Sequence, residues 1–327
     1  MQRKQKKHEL ARKLSEQLQR ELEIHQELKQ AVHMEQSLKD EQATREELQE
    51  MVAREESHGR ALQMQVYVGC PDWTGSRQNW QPLQAVQKHD YLLDKTDRLE
   101  RASASHLQLQ LFKQPCAFGG MRYATFARMQ DGTRLVAKRI LKEGRNLERN
   151  RKVLEADVRC MCIANRIADG FNQALRQTSL PKCFKEARVT FNVPSIMTVP
   201  DDDAACGKAV YLLEPHLPGE WRKWLQNDGS TFPGRDVPAL LEAFVHYSYH
   251  DSRSDGDVKI RLMVLDLQGN LTQNRGPGPA CSCFQLTDPS ISTVADDTRF
   301  GETNHGIEGI HKFLHGHQCS EGMTRGW

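Results

Sequence analysis

MVLDLQG at residues 263–269, followed by LTDP at 286–289, is the stretch that decides the fold. It sets two acids and an amide, Asp266, Gln268 and Asp288, at the end of an apolar run. Hard oxygen ligands on a rigid strand end, next to a loop, are what a magnesium ion carrying nucleotide phosphates takes. Alone, the pair also fits an ordinary strand followed by a turn, so the weight rests on the motifs around it.

Working outward, IRLMVLD (260–266) reads as a strand, PALLEAFVHYSY (238–249) before it as a helix, and GIEGIHKFLHGH (306–317) after it as a helix. Further back, KAVYLLE (208–214) is a strand of the buried type, and LEADVRCMCIANRIADGFNQAL (154–175) has helical periodicity. RYATFARMQDGTRLVAKRIL (122–141) reads as two strands joined at Asp131-Gly132, a hairpin signal. Strands first and mixed elements afterwards suit an α+β domain of two lobes.

Three further features carry chemistry. Lys138 sits inside the apolar strand LVAKRI, where a lysine either snorkels to solvent or is held for an anion. Glu214 of YLLEPHLPGEW stands where a strand opens into a connecting segment. FGETNHGIEG (300–309) is a glycine-spaced turn opening into a helix, where backbone N–H groups can meet a phosphate.

Composition bounds the rest. The 327 residues allow one large or two smaller globular domains. The mean hydropathy of −0.68 is low enough that part of the chain is expected to be extended or disordered. A net charge of +2 argues against nucleic acid or an anionic membrane as the main partner. No stretch approaches the roughly 20 apolar residues of a spanning helix. MQRKQKKHEL is basic with no apolar core behind it, so no secretory signal is read. Nine scattered cysteines show no disulfide framework, and reduced thiols in the cytoplasm are expected.

Residues 1–58 contain no Gly or Pro and are rich in helix-forming Glu, Gln, Lys, Arg and Leu. They are expected to form a long helix, with a coiled coil mediating self-association or a solvated single helix as alternatives. From residue 59 to 110 a linker of uncertain order is expected, with a second short helix in KHDYLLDKTDRLERASASHLQLQLF (88–112).

FGGMR, VAKRI, ADGFN, YLLEPHLPGEWRKW, AFVHYSY, MVLDLQG, LTDP, FGETNHGIEGIHKF and HQC follow one another in this order. In that wording residues 118–319 resemble the alpha-kinase family of atypical serine/threonine protein kinases. The resemblance implies a two-lobed, atypical protein-kinase-like domain over 111–327 that uses ATP and Mg2+ to phosphorylate a protein substrate. It implies that Lys138 grips the nucleotide phosphates, with Arg122 as a second basic contact. Glu214 corresponds to the hinge residue holding the adenine, and Lys223 to a basic position near the nucleotide. Gln268 and Asp288 correspond to the magnesium ligands, with Asp288 also facing the acceptor hydroxyl and Asp266 acting beside the transferring phosphate. Gly301, Asn304, Gly306 and Gly309 match the family's glycine-rich segment near the active site.

Two departures stand against the pattern. Asp266 and Asp288 are separated by NLTQNRGPGPACSCFQ, a longer excursion than the family usually shows. The family's structural zinc implies His246, His317 and Cys319 as ligands, but the fourth position is Met323, a poor zinc ligand. These departures motivate the alternative of a catalytically inactive kinase-like module acting as a coiled-coil scaffold. The retained Lys138, Glu214, Asp266, Gln268 and Asp288 argue against it.

Overall fold

The chain divides into two units, Met1–Gln65 and Val66–Trp327. A computed structural model describes residues 73, 79–144, 146–204, 206–232, 237–251, 261–274, 281–294 and 298–316, all within the second unit. The helix expected over 1–58, His317, Cys319 and Met323 lie outside the described residues.

The first half builds a curved sheet. Its strands are β1 (Gln84–Leu93), β2 (Leu99–Leu111), β3 (Ala117–Phe118), β4 (Arg122–Met129) and β5 (Arg134–Ile140). After α1 (Leu147–Gln177), α2 (Lys182–Glu186) and β6 (Arg188–Phe191), two more strands join it, β7 (Ser195–Pro200) and β8 (Lys208–Pro215). The order is β2-β1-β7-β8-β5-β4-β3, and β2 also pairs with β4, so six strands close on themselves. Inward residues alternate with outward ones along each strand. Val86, Leu109, Leu111, Ala127, Ala137, Met197 and Leu213 fill the interior of the curve.

The expectation for residues 59–110 needs correction. Residues 84–93 and 99–111 are the two longest strands of this sheet, and the helix expected over 88–112 is a β-hairpin. Asp94 makes the turn, its carboxylate accepting the N–H groups of Thr96 at 2.7 Å and Arg98 at 2.9 Å. HLQLQL at 106–111 alternates with period two, which is the strand signal.

Helix α1 is the spine between this sheet and the second half. Asn146 caps it, its side-chain oxygen accepting from Glu148 N and Arg149 N at 3.0 and 3.1 Å. Leu154, Val158, Met161 and Cys162 pack on the sheet's outer face with Ile196, Val210 and Leu212. Ile163, Ala164, Ile167, Ala168 and Phe171 face the opposite way, into the larger core.

The second half contains β9 (Trp221–Lys223), α3 (Ala239–Asp251), β10 (Leu262–Leu265), β11 (Gln268–Asn274), β12 (Cys281–Thr287), β13 (Ser290–Thr293) and α4 (Gly306–Gly316). A four-stranded sheet runs β6-β12-β11-β9, and β10 pairs with β13. The excursion between Gly269 and Leu286 is an antiparallel hairpin in which Gln268 pairs with Thr287 and Asn274 with Cys281. The strand leaves and returns side by side, so lengthening it does not separate Gln268 from Asp288. Among the described residues no helix is long and apolar enough to cross a membrane.

Candidate active site

The site forms where the curved sheet meets the second sheet. Lys138 on β5 lies opposite Leu212 of β8, and Val136 lies opposite Glu214, so Lys138 and Glu214 share the face turned away from the interior. On the second sheet Gln268 lies opposite both Lys223 and Thr287. Those three residues form a row across β9, β11 and β12.

Lys138 joins the two sheets. Its ammonium pairs with Glu214 Oε1 at 2.6 Å and Asp288 Oδ2 at 2.6 Å, and donates to Thr287 Oγ1 at 3.0 Å. The Thr287 hydroxyl donates in turn to Glu214 Oε2. Burial works against the Lys138 charge, but Asp288 and Glu214 more than offset it and raise its pKa. Burial likewise works against ionised Asp288, and Lys138 and Arg122 outweigh it, holding that carboxyl below its usual range.

Two further ion pairs flank this centre. Lys223 meets Asp266 Oδ1 at 2.6 Å, and Arg122 meets Asp157 Oδ2 of α1 at 2.5 Å. Burial raises the Asp266 pKa despite Lys223. Burial also raises the Asp157 pKa, to about 6, despite Arg122, with Asp288 adding to the rise. A carboxyl raised in the fold favours the folded state below its unfolded pKa and loses that contribution as pH rises through its folded value. The stability of the wild type relative to Asp157→Asn should therefore fall from about pH 4 to about pH 6 and level off above, read by urea denaturation across that range.

Asp266 and Asp288 both take left-handed backbone, with φ of 55° and 49°. Asp tolerates that region better than most residues and here ends two strands. Gln268 Nε2 donates to the Asp288 carbonyl at 3.2 Å, which holds the Gln268 amide beside Asp288. Asp288 Oδ1 is buried and accepts no hydrogen bond. One amide oxygen and one unpartnered carboxylate oxygen suit magnesium, which needs few protein ligands when phosphates and water complete its shell. Among the described residues no group of three His, Cys, Asp or Glu side chains is placed to hold a metal.

The structure thus brings together Lys138, Glu214, Gln268 and Asp288, with Lys223–Asp266 and Arg122–Asp157 alongside. The described hydrogen bonds of the glycine segment anchor it to the second half. Asn304 accepts from Thr293 N at 3.1 Å and Gly306 N at 2.9 Å, and donates to Thr293 Oγ1 at 2.8 Å, tying the segment to the end of β13. Gly301 approaches Ala156 of α1. Gly309 lets α4 approach β13, since a Cβ there would lie 2.7 Å from Ser292 Oγ. His246 stacks edge-on with Phe313 of α4, ring centroids 5.5 Å apart. Sequence reasoning missed Thr287 and Asp157. Thr287 stood inside LTDP beside the acid that was chosen, and Asp157 was one of four acids along α1 with no motif to set it apart.

A closed, curved sheet whose strand lysine reaches acids on a second sheet, with a long helix between, defines an atypical kinase-like α+β domain. The chain belongs to the alpha-kinase family, whose model matches residues 117–323. It is 31% identical over 213 residues to alpha-protein kinase 1 of Dictyostelium discoideum, a match spanning 63% of this chain and 13% of that protein. It is 30% identical over 115 residues to eukaryotic elongation factor 2 kinase of Caenorhabditis elegans, covering 35% of this chain and 12% of that one. The chain therefore spans a small part of the length of these relatives. The fold matches an alpha kinase from Entamoeba histolytica with a TM-score of 0.54 at 21% identity, covering 72% of this chain and 88% of that one. It also matches the inactive alpha-kinase domain of myosin heavy chain kinase A in complex with ATP, with a TM-score of 0.54 at 19% identity, covering 73% and 94%.

Proposed function

We propose that this chain is an ATP-dependent serine/threonine protein kinase that moves the ATP γ-phosphoryl group to a protein hydroxyl. The observation that carries the reading is the Lys138 ammonium held by acids from both sheets, beside an Asp288 oxygen with no hydrogen bond of its own. Phosphoryl transfer asks for positioning and charge neutralisation more than for covalent chemistry. Lys138 and Arg122 bring positive charge to the phosphates from the curved sheet. Gln268 and Asp288 would hold magnesium, which neutralises phosphate charge from the other side. The acceptor oxygen bonds to the γ-phosphorus as the bond to the β–γ bridging oxygen breaks, and ADP leaves. Asp288, ionised at neutral pH, orients the acceptor hydroxyl and receives its proton. Asp266, steadied by Lys223, lies beside the transferring group.

Glu214 as an adenine contact would use the acceptor capacity left beside its Lys138 and Thr287 partners. An inactive scaffold has no use for this buried charge cluster, which speaks for the active reading. Self-association through residues 1–58, supported by the helix-forming composition of that segment, and a cytoplasmic location, supported by nine cysteines without a disulfide framework, belong to the same proposal. A zinc site would use His246 with His317 and Cys319, which follow α4 in the sequence.

The test is transfer of radiolabel from γ-labelled ATP with and without magnesium. The full chain should label itself or a generic basic protein, and chelation should stop it. Asp288→Ala should lower the rate on the order of a hundredfold or more. A variant as active as the wild type would overturn the assignment of Asp288.

A further inference from the structure

Trp73 stands outside every motif discussed so far, yet it is fixed in place. Its indole packs edge-on against His216 at 5.1 Å and Phe126 at 5.2 Å between ring centroids. The Arg134 guanidinium lies over the ring at 5.3 Å, and Arg128 Nη1 donates to the Trp73 carbonyl at 2.5 Å. Burial and Arg134 lower the His216 pKa, which favours the uncharged ring.

Strand register locates this cluster. Residues directly opposite one another share a sheet face. Ala124 lies opposite Lys138 and Phe126 opposite Val136, and Val136 also lies opposite Glu214. His216 follows two residues after Glu214, its N–H bonded to Arg134 O at 3.1 Å, which carries the pairing one step further. One face therefore runs from Lys138 and Glu214, across Ala124, Val136 and Phe126, to Trp73. Lys138 and Glu214 are buried, while Ala124 beside Lys138, and Val136 and Phe126 in the row of Glu214, are only half-buried. Same-face side chains recur about every 7 Å along a strand, so this apolar strip has the breadth of one aromatic base. Its charged end is the ammonium and its far end is the Trp73 cluster.

We propose that Trp73 is a nucleotide-binding residue that closes the base end of the site, so that a purine whose phosphates reach Lys138 lies along Ala124 and Val136 against the indole. This rests on the nucleotide reading above. Aromatic contact with a base is indifferent to the phosphates, which gives the proposal its own test.

The experiment is calorimetric titration of the full chain with ADP and with inorganic tripolyphosphate, both with magnesium. Trp73→Ala should weaken ADP about tenfold and leave tripolyphosphate unchanged, as expected for loss of one base–aromatic contact. Trp73→Phe should bind ADP within about threefold of wild type and lose most of the ADP-induced change in tryptophan fluorescence. Equal weakening of both ligands would overturn the proposal, since that is loosening of the sheet. Unchanged or tighter ADP binding by Trp73→Ala would overturn it as well, as would a full fluorescence change in Trp73→Phe. A wild-type chain that binds neither ligand would overturn the nucleotide reading itself.

Discussion

Lys138→Met should lower phosphoryl transfer on the order of a hundredfold or more, about 2.7 kcal/mol of barrier, because it removes a fixed cation from the site of developing charge. The same change should be felt without any nucleotide. Glu214 is 2% exposed and Asp288 25% exposed at the side chain, and Lys138 is the cation both of them contact. Removing one partner of a buried ion pair costs about 3–5 kcal/mol, since it leaves uncompensated charge inside. The acids can escape that cost by taking up protons. The variant should therefore be least stable at neutral pH and regain ground as pH falls through the carboxylate range. Urea denaturation of wild type and variant at several pH values reads this directly. A pH-independent stability gap would mean that Lys138 contributes packing and no charge compensation.

Gly269→Ala should destabilise the domain by about 4 kcal/mol or more and leave little soluble protein, although it adds one methyl group. Gly269 has φ of 149°, a region L side chains rarely adopt. A Cβ there would lie 2.2 Å from Gln285 O and 2.8 Å from Leu286 Cα. Both are backbone atoms of β12, so relief requires parting β11 from β12 just where Gln268 and Thr287 pair. Gly132→Ala is the control. Its φ is 89°, but nothing lies within 4 Å of the added Cβ. Only backbone strain should appear there, on the order of 1 kcal/mol. Thermal denaturation of the two variants separates strain from collision, and similar losses in both would contradict the close approach at Gly269.

Much of this architecture was legible in the sequence. The hairpin at Asp131-Gly132, the long helix around 154–175 and the strands ending at Glu214 and Asp266 each carry a local period or turn signal, and each forms as expected. The site residues on those strand ends were singled out through the family resemblance, and the structure gathers Lys138, Glu214, Gln268 and Asp288 in one cluster. What escaped was non-local. Arg122 meets Asp157, and Lys138 meets Thr287, across sequence separations that leave no periodic trace. The short strands β6 and β7 escaped because RVTF and SIMTVP are too brief to show alternation. The hairpin over 84–111 was misjudged because its composition favours helix while its pairing partners decide for strand. The bonds that join Asn304 to Thr293 and Gly306 escaped as well, since Thr293 lies on a different element.

The ribbon made by β11 and β12 has seven paired rungs, from Gln268–Thr287 to Asn274–Cys281. At about 3.4 Å per residue, its tip lies roughly 20 Å from its base. Gln268 and Thr287, which line the candidate site, form the rung at the base. Such a lever arm makes the domain permissive: a change at the far rung is about six residues of paired strand away from the Lys138 cluster.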